Sequence, residues 1–212
     1  MRSIVEVTSP DMRHDVPFKS NLSPLGGMGE GFRIFPRYAD ALQEGQVPIK
    51  LFRSTERRAK LTGISLLSWH FYADFKEAVA EVIQRSCRVQ VLIMHEENPA
   101  LPEMLNDSVS DQVRKVRDEI GQSWDAWQQI ATDGGRAVEV RKVSRGVIYQ
   151  QLIMNEARML YSPYRFSVGS PKSNTIQTDR TSPLYMSLDE KFDALWQRNE
   201  EQGRQLKRKP AA

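Results

Sequence analysis

The sequence predicts an α/β fold: a mixed, largely parallel sheet flanked by helices, with an irregular N-terminal extension. Three observations carry that expectation. Val89–Met94 is a short apolar run interrupted only by Gln90, which is how a strand buried on both faces reads. Immediately before it, Phe71, Phe75, Ala78, Val79, Val82 and Ile83 recur at helical spacing with charged residues between them. That is an amphipathic helix with one face for a sheet. Before the helix, Leu61–Leu67 is another short apolar run. Strand, helix and strand with tight connections make a right-handed parallel crossover.

Taken in order, the first 47 residues form the irregular extension, punctuated by Pro10, Pro17, Pro24 and Pro36 and by Gly26, Gly27, Gly29 and Gly31. Within them Ile4–Val7 suits a short strand and Arg37–Gln43 one or two helical turns. The cluster GGMGEG lacks the Gly-Lys-Ser/Thr ending and preceding strand of a phosphate loop, so it reads as an ordinary loop. Pro48–Phe52 is expected as a first or edge strand, and Ser54–Lys60 as a short helix capped by Ser54 or Thr55. The crossover follows. Ser108–Asp111 then matches a helix-start pattern. Val109, Val113, Val116, Ile120, Trp124, Trp127 and Ala131 trace one face of a long helix, which stops at Thr132–Gly135. Both tryptophans lie on that apolar stripe, which assigns them to core or subunit packing rather than to base stacking.

Val138 and Val140 alternate with Glu139 and Arg141, the pattern of a half-buried strand. Val147–Met154 is expected as a second strand and Arg158–Tyr161 as a third, across a turn at Asn155-Glu156. Ser162–Pro183 is rich in Ser, Pro, Thr and Asn, a long loop of the functional or disordered kind. Ser187 to Glu190 is a capping box, opening a helix with Leu188, Phe192, Leu195 and Trp196 inward. The expected division is residues 1–47 as extension, 48–203 as the α/β domain and 204–212 as a basic tail.

A chain of 212 residues buries one sizeable core. Its 40% hydrophobic and 27% charged residues are ordinary for a soluble globular protein. The net charge of +3 permits a phosphate-bearing partner without demanding one. A single cysteine, Cys87, excludes an internal disulfide and a multi-cysteine zinc site and fits a reducing compartment. No apolar run approaches a membrane span and the N-terminus lacks a signal peptide's apolar region. A cytoplasmic protein with no membrane partner is therefore expected. No metal spacing such as HExxH occurs, and no cofactor is expected.

Phe52-Arg53-Ser54-Thr55, Gly63-Ile64-Ser65-Leu66-Leu67, Val89–Ile93 and the closing Phe192-Asp193-Ala194-Leu195-Trp196 follow one another in an order that resembles the phospholipase D-like superfamily. The likeness is strongest to its single-motif bacterial branch, which includes domains attached to transcription regulators, and it spans roughly residues 48–200. The resemblance implies a His-x-Lys pair followed four residues later by Asp, on a strand and the turn after it. It also implies two copies meeting across a two-fold axis. One His would attack phosphorus, the other would protonate the leaving group, and the lysines would hold the phosphate oxygens.

On this chain that pattern falls on Val147–Tyr164. With Glu156 in the acidic place, Tyr149 replaces the His and Gln151 the Lys; with Asn155 there, Ile148 and Gln150 do. Neither register supplies an imidazole or an ammonium, and none of His14, His70 and His95 has a Lys two residues later. Phosphohistidine chemistry needs a nucleophilic nitrogen and a cation beside it. The resemblance thus implies the fold without the superfamily's standard reaction. Gly169-Ser170 followed by Asn174 is similar to the later part of the pattern, at a different spacing.

Open α/β sheets bind ligands at the carboxyl ends of their strands, which nominates the loop His95–Pro99 and the segment around Trp69-His70. His70 and His95 with Glu96 or Glu97 offer an acid–base pair, a two-His-and-carboxylate metal site, or ordinary caps of element ends. Tyr149, Gln151, Asn155 and Glu156 are polar groups on a strand among valines and leucines. They are either its outward face or contacts that hold a ligand without cleaving it, with Arg145 and Lys172 the nearest bases. The leading expectation is a catalytically lapsed phospholipase D-like binding or sensing module, homodimeric through the missing catalytic pattern. Its ligand would be a small phosphorylated or nucleotide-like molecule, or a protein partner. The rivals are a phosphodiesterase or nuclease using His70, His95 and Glu96, and a nucleic-acid binder using Arg114, Lys115, Arg117 and the tail.

Overall fold

In the computed structural model, residues 32–105, 110–164 and 173–208 are described. Their order is β1 (Arg33–Phe35), α1 (Tyr38–Gln43), α2 (Val47–Arg53), β2 (Arg58–Gly63), a 3-10 helix (Leu67–Phe71), α3 (Ala73–Gln84), β3 (Arg88–Met94), α4 (Leu101–Met104), α5 (Ser110–Gly134), β4 (Val138–Val143), β5 (Gln150–Met154), β6 (Arg158–Pro163), β7 (Thr175–Asp179) and α6 (Pro183–Arg208). The strands form one mixed sheet in the order β1-β7-β6-β5-β2-β3-β4. Its parallel part is β2-β3-β4, built by the crossovers through α3 and α5. The other pairings are antiparallel, because short links such as Asn155–Ala157 only turn a strand back on its neighbour.

Helices cover both faces. On one, Leu61, Val89, Val91, Ile93, Ile153 and Leu160 pack with Phe52, Phe75, Val79 and Trp127 from α2, α3 and α5. On the other, Leu92, Met94, Leu152 and Met159 meet Leu188, Phe192 and Trp196 of α6. Val91 to Met94 are fully buried on both sides, as their apolar run implies. No described helix is long and apolar enough to cross a membrane.

Several elements differ from the sequence expectation. Pro48–Phe52 belongs to α2, not to a strand. Pro48 lies in its first turn, where the missing N–H costs nothing, and a run this short does not separate a strand from a buried helix. Ser54–Lys60 is not a helix: residues 54–57 connect, and β2 starts at Arg58. The run Leu61–Leu67 leaves the strand after Gly63, and Leu66 takes a φ of 57° before the 3-10 helix. Of the expected irregular extension, residues 1–31, with Ile4–Val7 and GGMGEG, lie outside the described residues. Residues 33–35 add β1 to the sheet, and Tyr38 and Ala41 of α1 enter the core. The expected loop Ser162–Pro183 contains β7, while Gly169, Ser170 and Lys172 lie outside the described residues. The last helix starts at Pro183 rather than Ser187, with the Ser182 hydroxyl accepting the Leu184 N–H at 3.2 Å. It continues to Arg208, through residues expected as tail.

Beneath α6 lies Lys60, 1% exposed, at the centre of the sheet. Its ammonium meets the Asp189 carboxylate, lies 2.7 Å from Asp193 Oδ1 and sits 5.1 Å from the Phe192 ring centroid. A buried ammonium is tolerated because these carboxylates compensate it; removing one partner of such a pair costs roughly 3–5 kcal/mol.

Candidate functional site

Strand direction gathers the carboxyl ends of β1, β2, β3, β4 and β6 and the amino ends of β5 and β7 along one end of the sheet. Cross-strand register places Gln151 beside Ser162, and Phe35 beside Thr175. With Tyr161 opposite Ile176 and Thr62 opposite Leu152, Gly63, Gln151, Ser162 and Thr175 form one row. Side chains alternate along a strand, so this row faces the α1–α2 side, with Leu61 and Ile153. The row is uncharged. Ser162 Oγ and Thr175 Oγ1 share a hydrogen bond of 2.7 Å, either hydroxyl donating.

Tyr38 closes the row. Its backbone N–H donates to the Ser173 carbonyl at 2.8 Å, and its hydroxyl lies against the Gln151 amide. Burial, with Tyr72 beside it, pushes that hydroxyl's pKa well above the usual 10.0. Tyr38 is 5% exposed and Gln151 4%. The Gln151 amide nitrogen and the Ser173 hydroxyl have no well-aligned hydrogen-bond partner. Tyr164 ties the neighbouring ends together: its hydroxyl accepts the Ile64 N–H at 3.0 Å, and its own N–H donates to the Tyr149 carbonyl at 2.8 Å. A Cβ at Gly63 would stand 2.6 Å from Leu66 Cδ2 and 3.0 Å from the Tyr164 hydroxyl, so a larger residue there would have to displace the Leu66 side chain. Four of the six tyrosines thus gather at this end. Tyr149 is 64% exposed, and Phe71 and Tyr72 are also open to solvent.

The nominated residues separate into four places. Tyr149 and Gln151 sit at the start of β5, one open and the other sealed. Asn155 and Glu156 sit at the opposite end of the strand, committed to the chain's own backbone. Asn155 Oδ1 accepts the N–H groups of Ala157 and Arg158, both at 2.9 Å, and Nδ2 donates to the Leu51 carbonyl at 3.0 Å. The Asn155 carbonyl accepts the Tyr185 hydroxyl at 2.5 Å. Glu156 accepts the N–H groups of Glu56 at 2.7 Å and Arg58 at 3.2 Å, fixing the entry to β2. Burial raises its pKa, but these hydrogen bonds outweigh burial and hold it below the ordinary 4.5.

The histidines are also apart. His70 stands edge-on to Trp127 at 5.1 Å and to Phe75 at 6.3 Å. Burial, with repulsion from Lys76, lowers its pKa to about 4, so it is neutral near pH 7. His95 ends β3, where its Nδ1 accepts the Glu97 N–H at 3.0 Å and lies 3.6 Å from Glu96 Oε2. The Glu96 carboxylate is held by Lys142 Nζ at 2.7 and 2.8 Å. Burial raises the Glu96 pKa, and Lys142 more than offsets it, leaving the carboxyl below its ordinary value. Arg117, which donates to the Glu96 carbonyl, and Trp127, which meets His70, lie ten residues apart on α5, about 15 Å of helix. The structure therefore does not assemble His70 with His95 and Glu96. Among the described residues no group of three His, Cys, Asp or Glu is placed to hold a metal ion. The bases of α5 are interleaved with acids: Arg114 lies 3.2 Å from Asp111, and Arg117 lies 3.4 Å from Glu97.

Sequence reasoning missed Tyr38, Ser162 and Thr175. The available sign was the run of β-branched residues in Thr175-Ile176-Gln177-Thr178, a strand composition inside a polar stretch.

No family model and no curated protein matches the sequence. Solved structures do. Phosphatidylserine synthase of Haemophilus influenzae is similar at a TM-score of 0.51, with 10% identity over 79% of this chain and 38% of that one. The archaeal chromatin protein TrmBL2 gives 0.47 at 11% identity, over 80% of this chain and 53% of that one. The phospholipase D family member Nuc of Salmonella typhimurium gives 0.43 at 14% identity, over 78% and 92%. The chain thus spans about half the length of TrmBL2 and less of the synthase. At these identities the likeness is one of backbone architecture, and with the order of elements it means that the chain has a phospholipase D-like fold.

Proposed function

We propose that the chain is a phospholipase D-like module that binds without hydrolysing, and that its binding surface is the end of the sheet around Tyr149. One observation carries this. The row behind Tyr149 is neutral and closed by Tyr38 over Gln151, and in the register that gives Glu156 the acidic place Tyr149 and Gln151 fall where the resemblance implies a nucleophile and a phosphate-holding cation. An amide and hydroxyls donate and accept hydrogen bonds. They do not attack phosphorus, nor do they neutralise two phosphate oxygens.

What this end does offer is aromatic surface. Phe71, Tyr72 and Tyr149 are exposed, and Arg145 is exposed a few residues before Tyr149. Tyrosine and phenylalanine faces stack on bases, and an arginine suits a phosphate. These groups support a nucleotide-like or small phosphorylated ligand, with a second copy of the chain completing the site.

An equilibrium titration of nucleoside mono- and diphosphates, beside a phosphodiester turnover assay, tests the reading. Saturable binding is expected, weakened about tenfold by Tyr149→Ala because a lost base stack is worth roughly 1–3 kcal/mol. No turnover above buffer is expected. Turnover abolished by His95→Ala would overturn the reading, as would the lack of any binding sensitive to Tyr149.

A further inference from the structure

The sheet ends in β1 on one side and in β4 on the other. An end strand leaves a row of backbone N–H and C=O groups unpaired, and proteins guard such rows with short strands, prolines, bulges or outstretched lysines. β1 is guarded by its length of three residues. β4 has none of these guards. Its six residues, Val138-Glu139-Val140-Arg141-Lys142-Val143, hold no proline or glycine and keep an unbroken register with β3. Its lysine does not stand over the edge: Lys142 Nζ turns back to Glu96 at 2.7 and 2.8 Å and lies 4.7 Å from the Trp124 ring centroid. Among the described residues no segment pairs with the outer side of β4.

The pairing with β3 fixes which groups look outward. The His95 N–H donates to the Val143 carbonyl at 3.0 Å, and bonded residues alternate along a parallel strand. Glu139, Arg141 and Val143 therefore direct their backbone groups to β3, and Val138, Val140 and Lys142 direct theirs outside. Side chains alternate as well. Val138 and Val140 pack on the α5 side, where Lys142 meets Trp124. Arg141 lies on the α6 side, 4.0 Å from the Trp196 ring centroid, with Glu139 beside it at 3.2 Å. An antiparallel newcomer must set outward residue against outward residue and keep the faces matched. A second copy of β4 does so with the ladder centred on Val140. That register sets Glu139 opposite Arg141 of the second copy, and Arg141 opposite its Glu139, in the closely spaced non-hydrogen-bonded places. Glu139 is already held by Arg88 at 2.7 Å, so the second guanidinium meets a carboxylate in a fixed position. A centre at Glu139, Arg141 or Lys142 would set each of these against its own like charge, which destabilises a ladder.

We propose that two copies of the chain join through β4, antiparallel about a two-fold axis at Val140, into one continuous sheet. β2 and β3 stand between β4 and β5, and antiparallel pairing carries the two Tyr149 ends away from each other. The contact is separate from the β5 end and does not depend on the function proposed there.

Val140→Cys in the full chain, under oxidised glutathione, tests the axis. The paired Cα atoms stand about 5.5 Å apart, within disulfide reach, and Cys87 is buried. A cross-linked dimer is expected. Arg141→Cys is expected to give little of it, because its two copies lie diagonally, roughly 7–8 Å apart. By light scattering the unaltered chain is expected to show at least the mass of two chains. Val140→Pro removes an outward N–H from each copy, at a place where an edge strand accepts proline. It is expected to weaken association about tenfold or more, the effect of two lost hydrogen bonds. If Val140→Pro fails to fold, the two cysteine variants carry the test. Tyr149→Ala leaves the Val140→Cys cross-link unchanged, which separates this contact from the β5 end. The proposal is overturned by a single-chain mass at high micromolar concentration, or by association indifferent to Val140→Pro. Cross-linking through Arg141→Cys in preference to Val140→Cys overturns it as well.

Discussion

His70 stands between the rings of Phe75 and Trp127, with Lys76 near enough to repel its charged form. Both effects disfavour the imidazolium, so the folded value is about 4 against an ordinary 6.5. On acidification the unfolded chain takes up this proton near 6.5, and the folded chain does so only near 4. The unfolded state thus binds more protons across that window, and folding stability falls as pH falls through it. Above 6.5 both states are neutral at this residue and the effect vanishes. We expect the thermal midpoint to drop between pH 6.5 and 4 by more in the native chain than in His70→Phe. The His70 ring resonances should titrate near 4; a midpoint near 6.5 would mean that the ring is not buried as described.

At the scale of elements, the end of α3 shows chemistry that a residue class hides. The Cys87 N–H donates to the Val82 carbonyl at 3.2 Å, and the Ser86 N–H to the Ile83 carbonyl at 2.8 Å. This is the Schellman pair of bonds that closes a helix. Its left-handed position, φ 60°, is filled by Ser86 rather than glycine. An L-residue with a Cβ pays roughly 1 kcal/mol or more there, and Ser86 is exposed, so nothing is lost with its side chain. Ser86→Gly should raise stability by about 1 kcal/mol in urea unfolding, and a loss would show that the cap is not as described. Elements were legible in the sequence where the apolar period ran long enough to name itself. That holds for α3, α5, β3 and β4 and for the inner face of α6. The period failed in short or polar stretches. Pro48–Phe52 is five residues of helix that an apolar run cannot distinguish from strand. Lys60 hid β2 because a charged residue reads as surface until α6 supplies Asp189 and Asp193.

Over the whole molecule, the β5 end was legible only in part. Tyr149 and Gln151 follow from their place in the strand, but the residue that seals Gln151 comes from α1, more than a hundred residues earlier in the chain. No local pattern links Tyr38 to β5; the pairing of β1 with β7 does, by carrying α1 to that end of the sheet. Under the binding function proposed above, this long-range closure decides what happens when a catalytic pair is introduced. Tyr149→His with Gln151→Lys would rebuild the superfamily's pair by composition. At 4% exposure beneath Tyr38, the new ammonium would face hydroxyls and no carboxylate, unlike Lys60 with its two acids. An unpaired buried charge costs several kcal/mol, roughly 3–5 by the measure of broken buried pairs. The double variant should therefore unfold at markedly lower urea concentration and show no phosphodiester turnover. Adding Tyr38→Ala opens the row to water and should recover part of the lost stability relative to the double variant, because the ammonium is then solvated. Hydrolysis by the double variant at native stability would instead require a row already open to substrate, and Tyr38 would then have no part in silencing the fold.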